Sequence, residues 1–284
     1  MARIAWLNGD YLPLADARIS PLDRGFLFAD GIYEVTAVLD GRLVDSAAHL
    51  ARLQRSAGEI GLCLPVTFDE LEAIERELIR RNGLDQGTTY LQLTRGTAAE
   101  RDFHADDDLA PTLFLYTQAK DIIGNPAART GVAVVTTPDL RWARRDIKSV
   151  SLLAQVLAKQ VAHDAGAFEA WLVEDGHVTE GSSSSALILT ADGALVTRPN
   201  SHAILPGCTR AAVQVLAEQH GLRWEERLFT VEEALMAREA MLTSASNFVL
   251  PIISIDGHAI GDGRPGPVAE RLRGVYIETA RAQN

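Results

Sequence analysis

Cysteine is nearly missing from this chain. Cys63 and Cys208 are the only two in 284 residues, too few for a disulfide framework or a cysteine metal cluster, and in keeping with a reducing cytosol. Basic charge is also short: 27 lysines and arginines against 38 acids give a net charge of −11, which argues against a broad nucleic-acid surface. No segment is apolar for long enough to span a bilayer, and the opening Met-Ala-Arg-Ile-Ala-Trp-Leu-Asn-Gly-Asp has no signal core. A cytoplasmic protein with no membrane contact is the expectation. No Gly-x-Gly-x-x-Gly follows a strand pattern and no P-loop is present, so dinucleotide folds and nucleotide hydrolases fall away. No metal is expected.

What is present is an ordinary globular composition, 47% hydrophobic and 23% charged, with a length that implies about two domains. Ile4–Leu7 and Tyr11–Leu14 flank the turn Asn8-Gly9-Asp10, a hairpin signal. Tyr33 to Leu39 alternates as a half-buried strand, and a second hairpin turns at Asp40-Gly41. Helical patterns follow over 46–61 and 67–82, then strands over 89–94 and 111–117. Residues 121–130, with Gly124 and Pro126 and no apolar period, read as a linker between domains at 1–120 and 131–284. In the second half a helix over 151–165 is expected to turn Leu152, Val156, Leu157 and Val161 inward. Strands joined at Asp175-Gly176 and Asp192-Gly193 surround it. Helices and strands alternate irregularly, which predicts two α+β domains.

The chemistry gathers in the second half. Lys148 stands at the end of a strand pattern, and Glu180 opens a run of hydroxyls, Ser182 to Ser185. A lysine becomes a nucleophile when its surroundings favour the free amine, and a Schiff base is its usual product. Pairing such a lysine with a fixed carboxylate and small phosphate donors is what pyridoxal 5'-phosphate requires. Taken alone, a lysine, a glutamate and a serine run are more often a solvated surface and a loop. Pro206-Gly207-Cys208-Thr209 starts a helix whose free N–H groups could take a phosphate, or could simply start a helix.

Three stretches decide between these readings: Asp146-Ile147-Lys148-Ser149-Val150-Ser151-Leu152-Leu153, Val156-Leu157-Ala158-Lys159-Gln160 and Thr179-Glu180-Gly181-Ser182-Ser183-Ser184. Together they resemble the fold-type IV pyridoxal-phosphate enzymes, and among them the D-amino-acid aminotransferases, with matching motifs from Asp23 to Pro251. The resemblance implies a homodimer that moves amino groups between D-amino acids and 2-oxo acids. It makes Lys148 the covalent cofactor lysine and Glu180 the partner of the pyridine nitrogen. Arg52, Ser182, Ser183, Ser184, Cys208, Thr209 and Ser246 fall on its cofactor-binding positions, and Tyr33 on the active-site tyrosine. A loop that carries an arginine and, two residues on, a histidine for the substrate carboxylate maps to Arg101 and His104. The match there is irregular: Phe103 occupies the histidine's place, and His104 lies one residue further. Ser151 and Ser185 depart from the usual asparagine. An (R)-amine transaminase, a branched-chain L-aminotransferase and an aminodeoxychorismate lyase share Lys148 and Glu180 and stay open. So does a non-catalytic binding module.

Overall fold

The Asn8-Gly9 turn forms as its sequence predicts, with both residues at positive φ, and joins β1 (Ile4–Leu7) to β2 (Asp10–Pro13) in an antiparallel pair. This is seen in a computed structural model that describes residues 2–106 and 108–282. The chain divides into two units. The first runs up to Asp121 and regains Ile147–Ser151; the second holds Ile122–Asp146 and the chain from Leu152 onward.

In the first unit the hairpin is followed by α1 (Arg24–Phe28), β3 (Gly31–Leu39), β4 (Arg42–Leu43), α2 (Ser46–Glu59), α3 (Phe68–Asn82), β5 (Gly87–Thr94) and β6 (Thr112–Ala119). The strands form one six-stranded antiparallel sheet, ordered β2-β1-β6-β5-β3-β4. Thr67 and Glu70 close a capping box at the start of α3, and Gly83, at φ 57°, supplies the left-handed residue that ends it. Leu53 of α2 and Leu71, Ile74 and Leu78 of α3 pack with Ile32, Leu91, Leu93, Leu113 and Leu115 of the sheet. Strand alternation then turns Tyr33 to the opposite face from Ile32 and Glu34. There it begins a stack with Tyr90 and Tyr116, at centroid spacings of 5.8 and 5.1 Å.

The lysine segment differs from expectation. The domain boundaries predicted it in the second domain, yet Ile147–Ser151 belongs by contact to the first unit. The reason lies in β4, which pairs only with Val38 and Leu39 and so leaves the Gly31–Tyr33 edge of β3 without a ladder partner. Buried backbone groups need partners. Residues 148–150 supply them: Tyr33 N–H donates to the Lys148 carbonyl at 2.9 Å and Val150 N–H to the Gly31 carbonyl at 3.0 Å. Ile147 joins the first unit's core.

The second unit comprises α4 (Ala127–Thr130), β7 (Val132–Pro138), α5 (Leu153–Asp164), β8 (Glu169–Glu174), β9 (His177–Gly181), β10 (Ser185–Leu189) and β11 (Ala194–Thr197). After these come α6 (Cys208–Gln219), β12 (Arg223–Glu226), α7 (Val231–Leu235), β13 (Glu239–Ser244), β14 (Phe248–Ile255), β15 (His258–Ala259) and α8 (Pro267–Ala282). The strands run in the order β12-β11-β10-β13-β14-β7-β8-β9, with β15 paired to β14. Trp171, Ile188, Val196, Phe229, Leu242 and Leu250 lie in its main core, and Ala127 and Ala128 of the expected linker pack against it. Helix α5 is turned the other way from its prediction. Ala158 and Ala162 pack on Ala170 and Leu172 of β8, while Leu153, Val156, Leu157 and Val161 are exposed. The small alanines let the helix axis approach the strand, and the branched side chains are left outside.

Candidate active site

In the first unit, Lys148 is fixed through its backbone. Its N–H reaches Ser56 Oγ at 3.3 Å, its carbonyl takes Tyr33 N–H, and Ser149 bridges Ile32. Those bonds bring its side chain to Tyr33, with Nζ 4.2 Å from the ring centroid. Among the described residues Nζ has no hydrogen bond or ion pair, and it lies against the face of the Tyr33 ring. The sequence thus singled out Tyr33 and Lys148 separately, and the first unit brings them together.

Behind Tyr33, on the helix side of the sheet, lies a buried ionic cluster that the sequence did not reveal. Glu34 receives Arg52 Nε at 2.7 Å and Nη2 at 2.8 Å, and faces His49 Nδ1 at 2.8 Å. Burial opposes the charge on Glu34, but Arg52 and His49 outweigh it and hold the carboxyl well below its ordinary range. The fork of Arg52, expected on a phosphate, is thereby joined to Glu34. His49 and Arg52 lie at i, i+3 on α2, and Glu34 has the buried phase of β3; that pairing of a polar strand residue with a polar helix face was the available signal. Close by, Glu75 of α3 is buried with one hydroxyl donor, Thr89 Oγ1 at 2.6 Å. Burial pushes its carboxyl up to about 7.

The Arg101 loop also belongs to this unit. Arg101 lies 4.9 Å from the Phe28 centroid and 5.4 Å from that of Phe103, and has no hydrogen bond or ion pair among the described residues. His104 turns its Nδ1 to its neighbour's carbonyl, Ala105 O, at 2.7 Å. Arg95 is bound to Asp30 at 2.8 Å and to Ile60 O at 2.7 Å.

In the second unit, Glu180 stands at the end of β9, 5% exposed. Its Oε1 accepts Leu205 N–H at 3.0 Å and Arg141 Nη1. Arg141 in turn holds Asp139 through Nε at 2.9 Å and Nη2 at 2.7 Å, and Asp139 accepts the Thr179 hydroxyl at 2.7 Å. Burial pushes the Glu180 carboxyl up, and Arg141 pulls it back. Burial also works against ionised Asp139, but Arg141 and Thr179 hold its carboxyl down. No donor among the described residues reaches Glu180 Oε2. A protonated ring nitrogen fits that oxygen.

The serine run differs from what was expected of it. Ser182, Ser183 and Ser184 all turn their hydroxyls to Glu169, with Ser183 and Ser184 at 2.9 and 3.0 Å. Glu169 is 1% exposed and also receives Ala170 N–H at 2.9 Å and Lys159 Nζ at 3.1 Å. A buried carboxylate must be given donors, and each hydroxyl has one proton to give. In this arrangement the three hydroxyl protons are given to Glu169. Gly181 makes the turn possible, because a Cβ there would stand 2.1 Å from Ser184 Oγ and 3.1 Å from the Ser184 carbonyl.

Phosphate donors remain elsewhere in the unit. Gly207 caps α6 without a side-chain bond, and no acceptor among the described residues meets the N–H groups of Cys208 and Thr209. Such a helix start fits a phosphate. Ser246 lies in the turn between β13 and β14, within reach of Asn247 Nδ2 at 3.4 Å. Arg273 holds that turn by the carbonyls of Asn247 and Val249, at 2.6 and 3.0 Å. Between them Phe248 takes φ 58°, an uncommon conformation for a bulky residue, with its ring buried edge-on against Tyr276. No three or more His, Cys, Asp or Glu gather to hold a metal among the described residues, and no described helix is long and apolar enough to cross a membrane.

Known proteins are similar to this one along almost the whole chain. The D-alanine aminotransferase of Bacillus licheniformis is 40% identical over 281 residues, covering 96% of this chain and 98% of that protein. The D-alanine aminotransferase of Staphylococcus aureus (strain N315) is 38% identical over 268 residues, 94% of each. Among solved structures, a T.th. branched-chain amino acid aminotransferase with pyridoxamine 5'-phosphate matches at TM-score 0.91 and 26% identity, covering 100% of this chain and 96% of that one. The Escherichia coli branched-chain amino acid aminotransferase shares the fold at TM-score 0.92 and 22% identity, over 98% and 94% of the two chains. The model of amino-transferase class IV matches residues 31–255, which carry Tyr33, Lys148, Glu180 and the start of α6, and the chain belongs to that family.

Proposed function

We propose that this chain is a pyridoxal-phosphate-dependent D-amino-acid transaminase that moves amino groups between D-alanine or D-glutamate and pyruvate or 2-oxoglutarate. The near full-length likeness to D-alanine aminotransferases carries the reading. When bound, pyridoxal 5'-phosphate supplies an electron-withdrawing ring that stabilises negative charge at the substrate α-carbon. Lys148 supplies the amine that holds the cofactor, and the same amine, once released, moves the proton at the substrate α-carbon. Glu180, fixed through Oε1 by Arg141 and Leu205 N–H, offers Oε2 to the proton on the ring nitrogen. The Cys208 and Thr209 N–H groups take the phosphate. Arg101 takes the substrate carboxylate, with Tyr33 beside the lysine. Handedness follows from that last contact: Lys148 reaches one face of the substrate, so the wall that binds the carboxylate decides which enantiomer offers its hydrogen.

A homodimer in the cytoplasm is part of the same reading. The exposed apolar face of α5, Leu153, Val156, Leu157 and Val161, supports self-association, and the two unpaired cysteines suit a reducing compartment. Light scattering of the purified chain tests the dimer. For the reaction, D-alanine, L-alanine, L-leucine and (R)-1-phenylethylamine are each offered with 2-oxoglutarate or pyruvate. D-alanine is expected to turn over fastest; faster L-leucine turnover overturns the reading. Borohydride trapping and peptide mapping should place the cofactor on Lys148, and an adduct on Lys120 or Lys159 would sink that assignment.

A further inference from the structure

Arg24 is a buried cation that the transaminase reading does not use, and both its terminal nitrogens lead to the Arg101 loop. It sits at the start of α1, where its Nε donates to Asp30 Oδ2 at 2.9 Å. Nη1 donates to the carbonyls of Asp102 at 2.6 Å and His104 at 3.3 Å, and Nη2 to that of Phe103 at 2.9 Å. One guanidinium thus holds three consecutive carbonyls, which fixes the backbone of a loop whose side chains are exposed. Its own N–H donates to Gly96 O at 2.8 Å, and Asp23 bridges Thr97, so α1 also holds the loop's entry.

The side chains continue the arrangement. The Phe28 ring has Arg24 and Arg101 each 4.9 Å from its centroid, and Phe103 packs on it at 5.3 Å. Phe103 is 79% exposed, so its place is not explained by core burial. What it does touch is Arg101, at 5.4 Å. Three cations lie on or beside this loop. Arg95 is joined to Asp30 and Ile60 O, and His104 Nδ1 to Ala105 O. Arg101 alone meets only ring faces, which orient a guanidinium while leaving its five N–H groups to an incoming anion.

We infer that Arg24, Phe28 and Phe103 form a seat that aims Arg101, and that all three are positioning residues for the substrate carboxylate. The inference rests on the transaminase reading above. Phe103 then takes over part of the expected histidine's work by different means: it adds no donor but holds Arg101 still, so less freedom is lost when the carboxylate binds.

The test uses the cofactor-loaded protein and compares Arg101→Gln, Phe103→Leu, Phe103→Tyr and Arg24→Lys with D-alanine and 2-oxoglutarate. Arg101→Gln should raise the KM for D-alanine roughly tenfold or more, the loss of a charge-assisted bond. Phe103→Leu should raise it about three- to fivefold, the size of an exposed cation–π contact, with kcat nearly unchanged. Phe103→Tyr, which keeps the ring, should restore the wild-type KM. Arg24→Lys should raise KM as well and speed tryptic cleavage after Arg101, a readout independent of turnover. An unchanged KM in Phe103→Leu beside a raised one in Arg101→Gln overturns the seat and leaves the substrate reading intact. A fall in kcat and cofactor content with KM unchanged in Arg24→Lys makes that residue merely structural and also overturns it. Absence of any D-alanine turnover by the wild type removes the reading beneath it, and the inference with it.

Discussion

Glu169 and Glu180 are both buried acids on neighbouring strands of the second unit, β8 and β9, and they end in opposite conditions. Glu169 receives donors on both oxygens: the Ser182 hydroxyl, Ala170 N–H and Lys159 on Oε1, Ser183 and Ser184 on Oε2. Glu180 receives Arg141 and Leu205 N–H on Oε1 alone. The first is complete within the protein and can only hold the turn around it. The second keeps Oε2 clear of any donor among the described residues, and the proposed role toward a ring nitrogen rests on that asymmetry. Residue type and burial are the same in both; the distribution of donors separates structure from function.

Removing the charge on Glu180 is the sharpest way to break this contrast. Glu180→Gln should lower kcat by about a thousandfold or more, about 4 kcal/mol in the barrier, while Arg141 stays joined to Asp139 and the fold holds. Steady-state kinetics and thermal melting check the two halves of that statement, and an unchanged rate would mean another group serves the ring nitrogen. Glu169→Ala should do the converse. It leaves the buried Ser182 and Ser184 hydroxyls without their acceptor, which should cost roughly 2 to 4 kcal/mol in urea unfolding, with kcat per bound cofactor within a few-fold of wild type. A large kcat loss at unaltered stability would reverse the roles drawn above.

Glu75 sharpens the comparison from the first unit, since it has a single hydrogen-bond donor and no ion pair among the described residues. Burial holds its folded-state carboxyl at about 7 against an ordinary 4.5, so between those values the folded chain binds more protons than the unfolded one. Stability contributed by this group is therefore complete below about 4.5, falls as pH rises towards about 7, and stays lost above. Glu75→Gln, which keeps an acceptor for Thr89, should flatten that slope and gain up to roughly 3 kcal/mol at pH 8 relative to wild type. Thermal melts at pH 5 and pH 8 decide it; parallel shifts at both would show that Glu75 does not titrate in this window.

Local signals were legible. The Asn8-Gly9 hairpin, the Thr67–Glu70 box and Gly83 at the end of α3 depend on neighbours within a few residues, and they form as their types dictate. Lys148 and Glu180 were found through motif, not periodicity. Periodicity alone erred at α5, because spacing shows which residues share a face but not which face turns inward. There the alanines did, since they allow closer packing on β8 than the branched residues would. The direction of the serine hydroxyls was hidden for a similar reason: Glu169, far enough away in sequence to leave no local trace, takes their protons. The Glu34–Arg52–His49 cluster and the Arg24 clamp are tertiary pairings of the same kind; spacing marks the polar faces of β3 and α2 but does not name their partners.

The return of Ile147–Ser151 to β3 also limits how this chain can be cut or recombined. A fragment ending at Asp121 would contain every strand of the six-stranded sheet, yet lack the five residues that complete the Gly31–Tyr33 edge and add Ile147 to its core. Domain exchange with a relative, or a split version reassembled from two pieces, would have to carry that short segment as a foreign insert or regraft it. Lys148 travels in the segment, so a chimera joined at Asp121 would combine one parent's lysine with the other parent's tyrosine at the Tyr33 position.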